Sequence, residues 1–70
     1  MQIAHFTNGG YVVHKVYVGA SKYSAWFDAN GQLSAAERFD SRGRSYDVSL
    51  TSVAARIIQN SYGGRQNKTA

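Results

Sequence analysis

Short strand-like apolar runs separated by turn residues follow one another as far as about residue 48, and then the period changes to that of a helix. Residues 11–18 (YVVHKVYV) are dense in β-branched and aromatic side chains, the make-up of a half-buried strand. Gly19-Ala20-Ser21 turns the chain, and three further strand-like runs follow over 22–28, 32–40 and 44–48. Two of the connections share one pattern, Asp28-Ala29-Asn30-Gly31 and Asp40-Ser41-Arg42-Gly43. Asp at the first position caps a type I turn with its carboxylate, and Gly at the fourth takes the left-handed conformation. Together they specify a three-residue hairpin loop closed by a glycine bulge. Upstream, 2–6 adds a further strand through a turn at Asn8-Gly9-Gly10.

Leu50, Val53, Ala54, Ile57 and Ile58 then fall at i, i+3, i+4, i+7 and i+8, the apolar stripe of one helix. Ser49 or Thr51 is placed to cap its start, and Gly63-Gly64 end it after Tyr62. Ser52, Arg56, Gln59 and Asn60 make its polar face. The pattern predicts an α+β fold: an antiparallel β-meander of four to five strands with one C-terminal amphipathic helix packed on one face. Residues 1–64 are expected to form this single domain, and 65–70 a flexible basic tail.

Loop length extends the prediction to the faces of the sheet. Three-residue loops place Phe27 opposite Leu33 and Ala25 opposite Ala35, with Tyr23 and Phe39 on the same side. That face is apolar enough to receive the helix, with Glu37 at its rim. The opposite face then carries Lys22, Trp26, Ala36, Arg38 and Tyr46, joined by His14, Val16 and Val48. One helix covers one face only, so the second is expected to be open for binding or buried in a homodimer. A single bulge would exchange the two sets.

Composition narrows the chemistry. A chain of 70 residues buries a modest core, and the absence of cysteine removes disulfides and thiolate metal sites as staples. No stretch approaches the roughly 18 apolar residues of a membrane span, and the start lacks the pattern of a signal peptide, so a cytoplasmic protein is expected. Eight Lys and Arg against four Asp and Glu give a net charge of +4, which tilts toward polyanionic partners. The same charge also serves simply to keep a small domain dispersed.

Catalytic groups are sparse. Asp28 and Asp40 are explained by their turns, and Glu37 by a cross-strand ion pair. His5 and His14 lack the spacing of a helical metal pair, and Gly9-Gly10 and Gly63-Gly64 are too short to cradle phosphate. No enzyme activity and no cofactor is expected. The expectation is a binding module. Trp26 and Tyr46 would stack on bases while Lys22, Arg38, Arg42 and Arg44 meet phosphates, a sequence-tolerant way of binding nucleic acid. Trp, Tyr and Arg are equally the anchors of protein interfaces. The alternative is therefore a small inhibitor or regulator of a host protein complex, of the kind phages and plasmids use, anti-CRISPR proteins among them. The bland reading of Trp26 and Tyr46 is plain core.

Overall fold

A computed structural model describes residues 2–64, so the expected basic tail lies outside the described residues. Strands β1 (Gln2–His5), β2 (Tyr11–Val18), β3 (Ser21–Phe27), β4 (Leu33–Phe39) and β5 (Ser45–Asp47) form one antiparallel sheet in chain order. Helix α1 (Val53–Tyr62) packs across one side of it, giving the expected α+β fold. Among the described residues no helix is long and apolar enough to cross a membrane.

The two Asp-led loops form as their residues dictate. The Asp28 N–H donates to the Gln32 carbonyl, the Gly31 N–H donates to the Asp28 carbonyl, and Gly31 sits at φ +78°. Asp40, Arg44 and Gly43 repeat the arrangement, with Gly43 at φ +85°. In each loop the aspartate Oδ1 accepts two further backbone N–H groups, from Asn30 and Gln32 or from Arg42 and Arg44. Phe27 pairs with Leu33 as the loop length requires.

One residue later the register departs from expectation. Trp26 pairs with Ala35 and Ala25 with Ala36, so Ser34 is an extra residue on β4. Its hydroxyl donates to the Trp26 carbonyl at 3.1 Å, which gives the bulge a polar anchor. Every β4 side chain beyond Ser34 is thereby on the face opposite to the expected one. Ala36 and Arg38 lie on the helix side, whereas Ala35, Glu37 and Phe39 lie on the far side. Tyr46 pairs with Arg38 and follows it to the helix side, and Val48 packs against the core there.

A second bulge lies on β2. Val13 pairs with Ala25 and Val16 with Tyr23, so His14 and Lys15 together oppose Ser24. Lys15 absorbs the irregularity at φ +59°, the one positive φ among non-glycine described residues. Val13 and Val16 consequently both face inward, at 0% and 2% exposure, and Tyr17 is left 65% exposed. Val16 thus belongs to the helix side and not, as expected, to the face of His14.

The core is a single cluster of Tyr11, Val13, Val16, Tyr23, Ala25, Phe27, Leu33 and Ala36 from the sheet with Ala55 and Ile58 from the helix. The cap of α1 is Ser52, whose Oγ accepts the Ala55 N–H, while the expected candidates Ser49 and Thr51 bond to each other. The helix is also rotated from its expected stripe. Gln59, read as surface, donates from Nε2 to the Gly31 carbonyl at 2.9 Å and accepts the Leu33 N–H on Oε1 at 2.7 Å. The Tyr11 hydroxyl donates to the Tyr62 carbonyl. These anchors turn the Gln59 flank toward the β3–β4 loop and carry Val53 and Ile57 outward, where they are 76% and 43% exposed.

Two matched pairs test this packing in denaturant melts. Val16→Ala should cost about 2 kcal/mol for the buried methyl groups and the cavity, and Tyr17→Ala less than about 0.5 kcal/mol. The reverse order would mean that β2 has no bulge. Gly43→Ala should cost about 1–2 kcal/mol for its left-handed backbone. Gly31→Ala should cost clearly more, because its new Cβ would also collide with the Gly64 backbone, whereas space beside Gly43 is open.

Candidate functional site

The helix occupies one side of the sheet, and no other described element covers the far side. Register places Val12, His14, Lys22, Ser24, Trp26, Ala35, Glu37, Phe39 and Asp47 there. Trp26 is the central aromatic of this face and is only partly buried. The His14 ring meets it edge-on, with centroids 6.2 Å apart and planes at 88°. His14 is itself tied through Nδ1 to the Ser24 hydroxyl at 2.9 Å, which satisfies a serine that is 4% exposed. Val12, between Ala4 and Trp26 in the register, is also buried.

Two hollows flank this centre. One, of about 410 Å³, is lined by Trp26, Ser34, Ala35, Ala36, Glu37 and Asp47. The small Ala35 side chain leaves room beside Trp26, and Glu37 and Asp47 stand directly opposite each other across β4 and β5. The other, of about 220 Å³, is lined by Gln2, His14, Lys15, Lys22, Ser24 and Phe39. Lys22 holds its Nζ 5.7 Å from the Phe39 ring centroid, a cation–π contact. The open face is therefore electrically divided, negative toward β5 and positive toward β1.

The six sequence-predicted site residues do not share this face. Lys22 and Trp26 are on it. Arg38 and Tyr46 are on the helix side, where the Arg38 guanidinium lies 5.1 Å from the Tyr46 ring centroid. Arg42 and Arg44 stand exposed at the β4–β5 hairpin tip. The expected basic-aromatic platform is thus split between the two sides of the sheet, and the Ser34 bulge is the cause. His14, Lys15, Ser24, Glu37 and Asp47, which sequence reasoning left out of the site, line the open face. The serine following Leu33, with a hydroxyl able to bond back to the strand, was the signal available for the bulge.

At the hairpin tip the sole acid is consumed by its own turn. Asp40 Oδ1 accepts the Arg42 and Arg44 N–H groups, and Oδ2 accepts the Tyr46 hydroxyl at 3.0 Å. Partial loss of water around the carboxyl works to raise its pKa. The two N–H donors, the Tyr46 hydroxyl and the nearby Arg38 charge outweigh that and hold it below its ordinary 3.8. Among the described residues no group of three His, Asp or Glu side chains gathers as metal ligands.

The chain matches no protein-family model, no curated protein and no solved structure. The functional reading rests on its own geometry.

Because its folded-state pKa is lowered, Asp40 contributes stability that is fully present above pH 3.8 and is lost as the pH falls through the lowered value. A carboxyl NMR titration of Asp40 should show a midpoint below 3.8. A midpoint at or above it would mean that the turn does not hold the charge. Asp40→Asn should remove this part of the acid dependence.

Proposed function

We propose that this protein is a small non-enzymatic binding module that docks a protein partner through the open sheet face centred on Trp26. The observation that carries the reading is a partly buried Trp26 that lines the hollow of Glu37 and Asp47 and meets, through the His14 ring, the neighbouring hollow of Lys15 and Lys22, on a face that no described element covers. A partly buried tryptophan ringed by polar and charged groups has the make-up of an interface hot spot. The Glu37 and Asp47 carboxylates beside it count against a phosphate backbone lying over the indole, since both would repel it. The divided charge suits a partner with complementary charges and fixes the orientation of docking. A host protein complex, in the cytoplasm, is the partner class this reading favours, and a second copy of the chain would use the same face.

A second reading has its own observation. Arg38, Arg42 and Arg44 lie within seven residues of one another on a single hairpin, beside Tyr46, with Asp40 already engaged. This cluster supports nucleic-acid binding directed at the backbone, by the hairpin and not by the sheet face.

Photo-crosslinking separates the two. A photoreactive residue at position 35 should capture a protein partner, or a second copy, and the capture should be lost on Trp26→Ala. The same residue at position 42 should not capture that partner. In parallel, fluorescence anisotropy of single- and double-stranded oligonucleotides at about 50 and 200 mM salt reads the hairpin. Binding that collapses with salt, falls with Arg42→Ala and Arg44→Ala and ignores Trp26→Ala would move the function to the hairpin.

A further inference from the structure

We propose that the hollow between β1, β2, β3 and the end of β4 is an oxyanion-binding pocket, which takes a phosphate or carboxylate group on Lys15, Lys22 and His14. The proposal uses the open face but does not depend on protein docking, because isolated anions probe it on the chain alone.

Three observations converge there. The first is the lining. A hollow of about 220 Å³ is bounded by Lys15 and Lys22 from adjacent strands, with His14, Ser24, Gln2 and Phe39, and none of these six carries a carboxylate. Glu37 lies across the register from Ser24 but lines the neighbouring hollow. Two lysines lining one concave surface raise the local potential for an anion more than either does alone. Lys22 is steadied over the Phe39 ring, which limits the rotamer freedom lost when a ligand binds.

The second is the interior polar pair. Ser24 is buried although it belongs to the open face, and its hydroxyl is committed to His14 Nδ1 at 2.9 Å. That bond fixes the imidazole plane. Nε2 is then the ring nitrogen not used by Ser24, on a side chain that lines the hollow. A histidine held in this way presents a defined donor to an oxyanion when Nε2 carries a proton.

The third is backbone strain. The β2 bulge could take its left-handed residue as glycine, yet Lys15 occupies φ +59°. A non-glycine residue held there is the kind of outlier that collects at ligand sites. The bulge that turns Val16 into the core also sets Lys15 at the edge of the hollow, so one irregularity serves packing and places a charge.

The test uses inorganic phosphate, O-phosphoserine and acetate, each titrated into the full chain at constant ionic strength with chloride as reference. Amide and imidazole NMR signals of His14, Lys15, Lys22 and Ser24 should shift saturably. Lys22→Gln should weaken the tightest anion about tenfold or more, the factor that one lost charged contact commonly removes. Lys15→Gly gives the sharper readout. It relieves the backbone strain, so the melting temperature should hold or rise, while anion binding falls by a similar factor. Preference for phosphate and phosphoserine would assign the pocket to phosphoryl groups, and equal or tighter acetate binding would assign it to carboxylates. Either result supports the proposal. Shifts that do not saturate, that appear equally with chloride, or that survive both lysine substitutions would overturn it. Position-35 crosslinking that persists in Lys15→Gly would leave the docking reading intact whatever the anions do.

Discussion

Side chains along a strand change face at every residue, so a single inserted residue inverts everything beyond it. The described residues hold one helix for a five-stranded sheet, and it buries only one face. The bulges at His14-Lys15 and Ser34 decide which side chains lie there. They fall on the strands to either side of β3, whose own Tyr23, Ala25 and Phe27 keep strict alternation. β3 is in effect the reference line, and its neighbours are adjusted to it. Without the β2 irregularity, Lys15 and Tyr17 would follow Val13 under the helix in place of Val16. Were Ser34 paired in the ladder and not bulged, Ala35 and Glu37 would sit there in place of Ala36 and Arg38. Burying an unpaired charge is far more costly than exposing a valine, so the register is held by energy as well as by hydrogen bonds.

The same adjustment sorts the charges. Glu37 and Asp47 are brought into one hollow of the open face, with Trp26, and Lys15 and Lys22 into another. Arg38 is removed to the helix side of the sheet, where its guanidinium lies over the Tyr46 ring beside the hairpin tip. A face that composition would describe only as basic becomes divided, and the surplus arginines gather elsewhere. Net charge therefore says little about this protein's partners until the register is known.

Most of the architecture is legible in the sequence because it is locally encoded. Asp28, Gly31, Asp40 and Gly43 determine two loops by their own turn chemistry, and the period change at the C-terminal third marks the helix. The site was not legible to the same degree. Its membership depends on Ser34, whose role appears only when its hydroxyl meets the Trp26 carbonyl across the pair, and on Lys15, which has no special status in a sequence pattern. The helix rotation escaped for a similar reason. Periodicity favours turning Val53 and Ile57 inward, but the polar anchors of Gln59 on Gly31 and Leu33 prevail, and a spacing rule does not see a glutamine pairing with a loop 26–28 residues away. In each case a tertiary hydrogen bond overrides a local pattern.

The strand order follows the chain without a crossover, and this has a kinetic consequence. Each hairpin closes a loop of a few residues, so the entropy of bringing strands together is small at every step and the sheet can zip from any turn. Only the attachment of the helix bridges distant parts of the chain, with Tyr11 and Tyr62 separated by 51 positions. Helix docking is therefore the late, cooperative event. It ties the last turn of α1 to β2, and it converts a string of individually marginal hairpins into one folding unit.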